Sequence, residues 1–234
     1  MDHELAIAEV FHVGQMDRRL KGRNSHEGAG LSVSLNPTGW TRIAQLGGHP
    51  TYALRRQEGC FLDFNSARQD THFLAQVTGW AVERGYIAPC PTYRLWHHDG
   101  EEDLDCYMEF TSLEELLGEV GGDEGGSLAR ARSLARSQGQ WVTRAKGWQV
   151  LPPALERARH DRAESLFGLD FAFLFYTEDE TDLDGVWWRL DNELEDEMND
   201  ELDDDPDRGC IFESRLDGWD RELVDAPEPE EILA

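Results

Sequence analysis

Residues 169–176 read Leu-Asp-Phe-Ala-Phe-Leu-Phe-Tyr, and all of them except Asp170 are apolar. A continuous apolar run of this length, rich in aromatic residues, predicts a buried β-strand. Shorter apolar runs follow at 185–188 (GVWW) and 208–212 (RGCIF), and each of them predicts a further strand. The C-terminal part of the chain is therefore expected to contribute buried strands to the core.

The rest of the chain predicts a mixture of helices and strands. Helical spacing predicts a helix over 66–85, with Ser66 as its N-cap and Gly85 as its stop, and a second helix opened by Ser112. We therefore expect one α+β domain over residues 1–234. Apolar and alternating runs predict strands at 5–13, 31–35, 52–54 and 60–64 (joined by a charged hairpin), 92–97 and 104–111.

The composition predicts a folded, soluble, intracellular protein. The chain is 39% hydrophobic and contains eight tryptophans, which argues against global disorder. It has no apolar run of the roughly 18 residues that a membrane helix needs, and its first residues lack the features of a signal peptide. We therefore predict a cytoplasmic protein with no membrane partner. The four scattered cysteines form no C-x-x-C pair, so reduced thiols and no metal site are expected.

The net charge of −26 is concentrated in one segment. Residues 1–177 hold 24 acidic against 18 basic residues, whereas residues 178–234 hold 24 acidic against four. Within this segment, 189–207 has four apolar residues spaced four apart and predicts an acidic amphipathic helical insertion. This helix could cover the basic stretch 127–162, recruit a cationic protein partner, or only aid solubility. Residues 225–234 are expected to be an acidic tail.

The basic stretch 127–162 has its own two interpretations. It could bind the phosphates of a nucleotide or of RNA, or it could be an arginine-rich helix that faces solvent.

Three short motifs carry the candidate chemistry, and the first is His12-Val13-Gly14 at the end of an N-terminal strand. The His12 imidazole could hold a ribose hydroxyl, while Gly14 would let an amide of a ligand meet the backbone. The alternative is a half-buried histidine followed by an ordinary turn glycine.

The second motif is the run GAGLSVS at 28–34. Alternation along a strand places Ser32 and Ser34 on one face, where they could line the wall of a cleft for a flat nicotinamide or a sugar. Ordinary entry into a strand explains the same residues. The spacing is not that of a dinucleotide-binding or P-loop fingerprint.

The third motif is Asp182-Leu183-Asp184 before the GVWW run. A carboxylate at the start of a late strand could stabilise an oxocarbenium-like cation and accept a hydrogen bond from a ribose hydroxyl. A turn aspartate in front of a core strand is the alternative.

Together the three motifs resemble the ADP-ribosyltransferase family, whose fold is a split β-sandwich. The resemblance covers the two ends of the chain and does not extend to about 90–165. It implies peripheral helices, NAD as the substrate, and binding of NAD through His12, Val13, Gly14 and Ser32. It also implies that Asp184 is catalytic, together with His12, Ser32 and Ser34. The carboxylates that compete with Asp184 for this role are Glu180, Asp182 and Asp191.

Two features depart from the family pattern: the second motif lacks the usual Tyr, and the acid is Asp rather than Glu. Either departure could mean altered chemistry, a misplaced motif or an inactive enzyme. The target would be a protein or a nucleic acid, and the family implies a toxin or a phage-defence effector. The rival class is a non-enzymatic acidic interaction protein that mimics nucleic acid or pairs with a toxin.

Overall fold

The computed structural model describes residues 3–16, 30–38, 41, 48–98, 105–123, 125–158, 168–189 and 208–225, and the side chains of 98, 105–107 and 225 are not included. It confirms the α+β class. One sheet has eight strands, a second sheet has three, and helices lie between and around them.

The eight-stranded sheet is mixed. Its strands are β1 (Glu4–Ala6), β2 (Glu9–Val13), β3 (Leu31–Ser34), β4 (Thr51–Arg55), β5 (Cys60–Asp63), β9 (Gly185–Trp188), β10 (Arg208–Ile211) and β11 (Asp220–Asp225). They lie in the order β1-β5-β9-β10-β3-β2-β4-β11. All neighbouring strands are antiparallel except β5 and β9, which run parallel.

The three-stranded sheet is antiparallel, with the long strand β6 (Ile87–His98) at its centre. Strand β8 (Trp141–Val150) pairs with β6 from Ile87 to Trp96, whereas β7 (Asp105–Phe110) pairs with it only from Tyr93 onwards. The first part of β6 therefore has a strand on one side only within the described chain. Both prolines of the strand, Pro89 and Pro91, lie in this part, because proline cannot donate a ladder hydrogen bond.

Six helices and a 3₁₀ segment are described, and three apolar cores hold them against the sheets. The largest core joins one face of the eight-stranded sheet to α1, α2, α5 and α6. A second core lies on the opposite face of that sheet, and a third lies between the three-stranded sheet and helices α3 and α4. The elements are α1 (Phe64–Gln69), α2 (Thr71–Glu83), α3 (Leu113–Glu119), α4 (Leu128–Ser137), α5 (Pro152–Ala158), α6 (Gly168–Glu180) and the 3₁₀ segment Glu213–Gly218.

The strand predicted at 169–176 is wrong, because these residues lie in the central helix α6. Every residue from Phe171 to Thr177 is buried. Such a helix is apolar on all sides, because β8 packs against it from one sheet and β9 from the other. The buried Thr177 hydroxyl finds its hydrogen-bond partner within the helix, because it donates to the carbonyl of Phe173 at 2.7 Å.

Several other elements differ in extent or pairing from the expectation. Residues 5–13 form two strands, β1 and β2, that lie at different positions in the sheet. The strands at 52–54 and 60–64 exist, but no hairpin pairs them: β4 lies between β2 and β11, and β5 between β1 and β9. The helix predicted over 66–85 breaks at Asp70, which caps α2, while Asp63 rather than Ser66 caps α1.

Arg157 attaches α5 to the C-terminal end of α6. Its guanidinium donates to Glu178 at 2.8 Å and to both carboxylate oxygens of Asp179, and it lies 4.3 Å from the ring of Phe175. Burial opposes its charge, yet the acceptors prevail and raise the pKa of Arg157. A basic residue of 127–162 thus neutralises acids at the negative end of a helix dipole.

Most of the acidic insertion and the acidic tail lie outside the described residues, which resume only at 208 and end at 225. Their predicted helix and contacts therefore stay predictions. None of the helices that the structure describes is long and apolar enough to cross a bilayer.

Candidate functional site

The candidate site lies where β2 and β3 separate. The two strands share only the residue pair Phe11–Ser34. Beyond this pair the His12 imidazole, which is 1% exposed, connects the two strands. Its Nδ1 donates to the carbonyl of Ser32 at 2.8 Å. This bond fixes the ring against the strand opening, with Nε2 on the far side, 3.3 Å from the carbonyl of Gln15.

Gly14 ends β2 in a backbone conformation that favours glycine, with φ of 123°. Its N–H donates to the carbonyl of Pro50 at 2.9 Å, so the amide that a ligand was expected to use already has a partner. A Cβ at this position would lie 3.7 Å from Nε2 of His12. The backbone at position 14 therefore requires the glycine, but its N–H is not available to a ligand.

The serine side chains point away from His12. Val10 and Val33 share one apolar core, so alternation places His12 on their face of the sheet and Ser32 and Ser34 on the other. Ser32 pairs with Cys210, which belongs to the core on that other face. The Ser34 hydroxyl donates to the carbonyl of Asn36 at 3.0 Å. The predicted convergence of His12 with the serine hydroxyls in one cleft does not occur, and only the Ser32 backbone reaches the imidazole.

Val13 takes part through its backbone. It pairs with Thr51 of β4, and its side chain is buried on the face opposite to His12. Val13 therefore contributes to strand pairing and to burial on that face of the sheet.

Asp184 is buried, with 2% exposure, and both its oxygens are engaged. Oδ1 pairs with the guanidinium of Arg56, and Oδ2 accepts the N–H of Cys60 at 2.9 Å. Strands β10 and β3 separate β9 from β2, so roughly 14 Å lies between the strand that follows Asp184 and the strand of His12. The carboxylate connects β9 to the loop before β5. The motifs instead predicted that it lies beside a ligand.

The competing carboxylates have different surroundings. Glu180 ends α6 and accepts from the indole of Trp80 at 2.7 Å and from Arg84 at 2.9 Å. Asp182 is fully exposed and lies 3.9 Å from Arg215. Asp191 lies outside the described residues.

The late strand next to β3 is β10 rather than β9. Its last residue, Ile211, pairs with Leu31 at the end of the sheet where β3 begins and β2 finishes. Glu213, two residues further on, is exposed and opens the 3₁₀ segment beside this end. Sequence reasoning missed Glu213, because a single glutamate after RGCIF carries no motif and the pairing of β10 with β3 is a tertiary fact.

The thiols of Cys60 and Cys90 are poorly suited to act as nucleophiles. Burial, with the nearby charges of Glu4 and Asp184, raises the pKa of the Cys60 thiol. Burial likewise raises the pKa of Cys90, with Glu109 adding to it. A raised pKa leaves little thiolate at neutral pH. No group of three or more metal-binding side chains occurs among the described residues.

Comparison with known proteins adds no family. No protein-family model matches the chain, and neither the curated proteins nor the solved structures yielded a match.

Proposed function

We propose that the protein is an ADP-ribosyltransferase-like enzyme with a split-sandwich fold that takes NAD as its substrate. One observation carries the proposal: strands β10, β3 and β2 lie side by side, and the sheet opens between β3 and β2 beside His12 and Gly14. The resemblance implies that an early, a middle and a late strand carry the residues of the NAD site. Because the comparisons found no match, the proposal stands on this geometry and on the motifs.

In the proposed reaction the bond between the nicotinamide nitrogen and C1′ of the ribose breaks, and nicotinamide leaves with the electron pair. A nucleophile of the target then forms a bond to C1′ and loses its proton. His12, held by Ser32, would hydrogen-bond a ribose hydroxyl, and the Gly14 carbonyl would accept from the carboxamide. A carboxylate would stabilise the positive charge that develops on the ribose.

Two carboxylates are candidates for that last role. Asp184 directly precedes the start of β9, and its charge is shared with Arg56. Glu213 lies on the nearer side, two residues after the end of β10. The proposed enzyme uses one of them, and substitution distinguishes the two.

The test measures nicotinamide release and transfer of adenine-labelled NAD onto lysate protein or nucleic acid. The wild type is compared with His12→Ala, Asp184→Asn and Glu213→Gln, and His72→Ala, on the exposed start of α2, is the matched control. We expect the wild type to release nicotinamide and His12→Ala to lose about 100-fold or more. The absence of release by the wild type, or equal activity of His12→Ala and His72→Ala, would refute the proposal.

A further inference from the structure

A second concave site lies beside the three-stranded sheet, and no residue of β2 or β3 lines it. It is a cleft of about 260 Å³ whose walls come from α1, the start of α2, the three-stranded sheet and the first turn of α6. The polar side chains that line it are Arg68, Thr92, Arg94, Glu109, Lys146 and Asp170.

The charges of this cleft do not cancel. Glu109 accepts from Nε of Arg94 at 2.9 Å, and Asp170 accepts from the indole N–H of Trp188 at 3.1 Å. Glu109 is thus paired with a cation, whereas the neutral indole leaves the charge of Asp170 in place. Arg68 and Lys146 have no acidic partner among the residues that the structure describes. With three basic and two acidic side chains, the lining of the cleft has a net charge of +1 in a chain whose net charge is −26.

The position of Lys146 is defined by its surroundings. Its ammonium lies 4.3 Å from the ring centroid of Trp148, and such a contact orients the cation without neutralising it. Arg68 lies on α1 and lines the same cleft. An anion in the cleft would therefore meet cations supplied by two different elements.

Glycine at two positions shapes the cleft. A Cβ at Gly147 would lie 2.0 Å from Cγ2 of Thr92, so only glycine leaves room on β8 for the buried threonine side chain of β6. A Cβ at Gly168 would lie 2.3 Å from the carbonyl of Trp148, so glycine brings the first turn of α6 directly onto β8. The N–H groups of a first turn add positive potential at the rim.

We propose that this cleft binds the phosphoryl group of a small phosphorylated ligand, with Arg68 and Lys146 as its charge partners and the Thr92 hydroxyl as a hydrogen-bonding group. A carboxylate would neutralise only one of the two cations, whereas a phosphate monoester carries the charge and the oxygens for both. The overall negative potential of the chain repels anions, so selective binding has to come from this local arrangement.

The cleft is distinct from the proposed NAD site, because neither His12 nor Gly14 lines it. The inference therefore does not rest on the proposed function. Inorganic phosphate, a sugar phosphate and a nucleotide share the chemistry that the cleft recognises, and the test separates them.

The experiment is calorimetric titration of the full chain in NAD-free buffer with inorganic phosphate, ribose 5-phosphate, AMP and unphosphorylated ribose. Arg68→Gln and Lys146→Met are compared with Arg130→Gln, an exposed arginine on α4, and with His12→Ala. We expect at least one phosphorylated probe to bind and ribose not to bind. Each cleft variant should weaken binding about tenfold, while the two controls keep the wild-type affinity.

The probe that binds most tightly identifies the source of the phosphoryl group. Added salt should weaken binding because the contacts are ionic. Arg68 and Lys146 are exposed, so melting curves should show that their variants stay folded, and Thr92→Val should weaken binding as an uncharged third variant. The absence of binding by every phosphorylated probe at millimolar concentration would overturn the proposal. So would an equal loss in Arg130→Gln, or binding of ribose as tight as that of ribose 5-phosphate.

Discussion

Asp184 shows how a single carboxylate can connect three segments. Its side chain binds Arg56 and the N–H of Cys60, its own N–H donates to the carbonyl of Cys60 at 2.7 Å, and its carbonyl accepts from Phe212 at 2.9 Å. The loop before β5, the start of β9 and the end of β10 are thus fixed to one another. A buried charge with this many partners has a structural effect whether or not it also serves chemistry.

Asp184→Asn should destabilise the protein. The amide cannot pair with the Arg56 charge, and a buried ion pair that loses one partner leaves the other uncompensated. Because Arg56 is about one-third exposed and solvent screens it, we expect a loss of about 2 kcal/mol in the free energy of unfolding. Urea denaturation measures it. Asp182→Asn, at a fully exposed acid two residues away, is the control and should leave the midpoint unchanged.

Gly14→Ala should destabilise the end of β2. At φ of 123° an L-residue is strained, which costs about 1–3 kcal/mol. The matched control is Gly79→Ala within α2, where an added Cβ meets nothing within 4 Å, and this change should stabilise by about 0.5–1 kcal/mol. Thermal melts of both variants check the pair. A Gly14→Ala protein as stable as the wild type would mean that the backbone at 14 differs from the one described.

At the scale of elements, helix α3 carries a capping box. The Ser112 hydroxyl accepts the N–H of Glu115 at 3.1 Å, and Glu115 accepts from the N–H groups of Thr111 and Ser112. Partial burial raises the pKa of Glu115, but these donors outweigh it and leave the pKa below its usual value. Ionised Glu115 therefore favours the folded state.

The sign of this shift gives a pH dependence. A lowered folded pKa contributes stability above the unfolded value of about 4.3, and this stability is lost as the pH falls through the folded pKa. Glu115→Gln should therefore cost about 0.5 kcal/mol at pH 7, and the difference from the wild type should vanish in acid. Urea midpoints across the pH range measure it. Glu114→Gln, in the same helical turn, should show a smaller difference, and equal effects would argue against the capping box.

The central helix α6 explains one limit of sequence reasoning. A run that is apolar at every position has no period, so a buried strand and a helix surrounded by protein produce the same pattern. What decides between them is the environment, because β8 and β9 lie on two sides of these residues. The prolines in β6 also concealed the start of that strand. Proline argues against a strand in a sequence, because a sheet tolerates it mainly where a strand has an unpaired edge.

Local signals did predict most of the strands and the cap of α3. The pairing of strands was not predictable, because β5 joins β1 and β9, which are distant in sequence. The candidate site depended on this pairing. The sequence identified His12 and Gly14 as neighbours of a strand end, but the face on which Ser32 points follows from the register of β3 against β10. The cleft at Arg68 combines five segments of the chain and had no sequence signal.

At the scale of the whole molecule, α6 joins the two sheets into one apolar core that includes Ile87 and Val150 from the smaller sheet and Val186 from the larger. The strands β6 and β8 extend from this core into the third core beside α3 and α4. Since the same two strands belong to both cores, neither sheet can be exposed without disrupting α6.

The two sheets should therefore unfold together. We expect the amides of Leu95 and Val142 in the smaller sheet to exchange with the same opening free energy as those of Val186 and Cys210 in the larger. Native-state hydrogen exchange read by NMR measures this. Phe173→Ala, in the middle of α6, should lower both values by a similar amount, about 3–5 kcal/mol. A drop confined to one sheet would show two independent units.

The prolines of β6 have a further consequence for how the protein meets other chains. A sheet edge with free N–H groups is a template on which an extended segment of another molecule can add, and this is a common route to fibrils. Among the described residues, Pro89 and Pro91 remove donors from the part of β6 that has no strand on its second side. This edge is therefore a poor template for a strand of another chain, so the two residues that concealed the start of β6 in the sequence also disfavour aggregation through it.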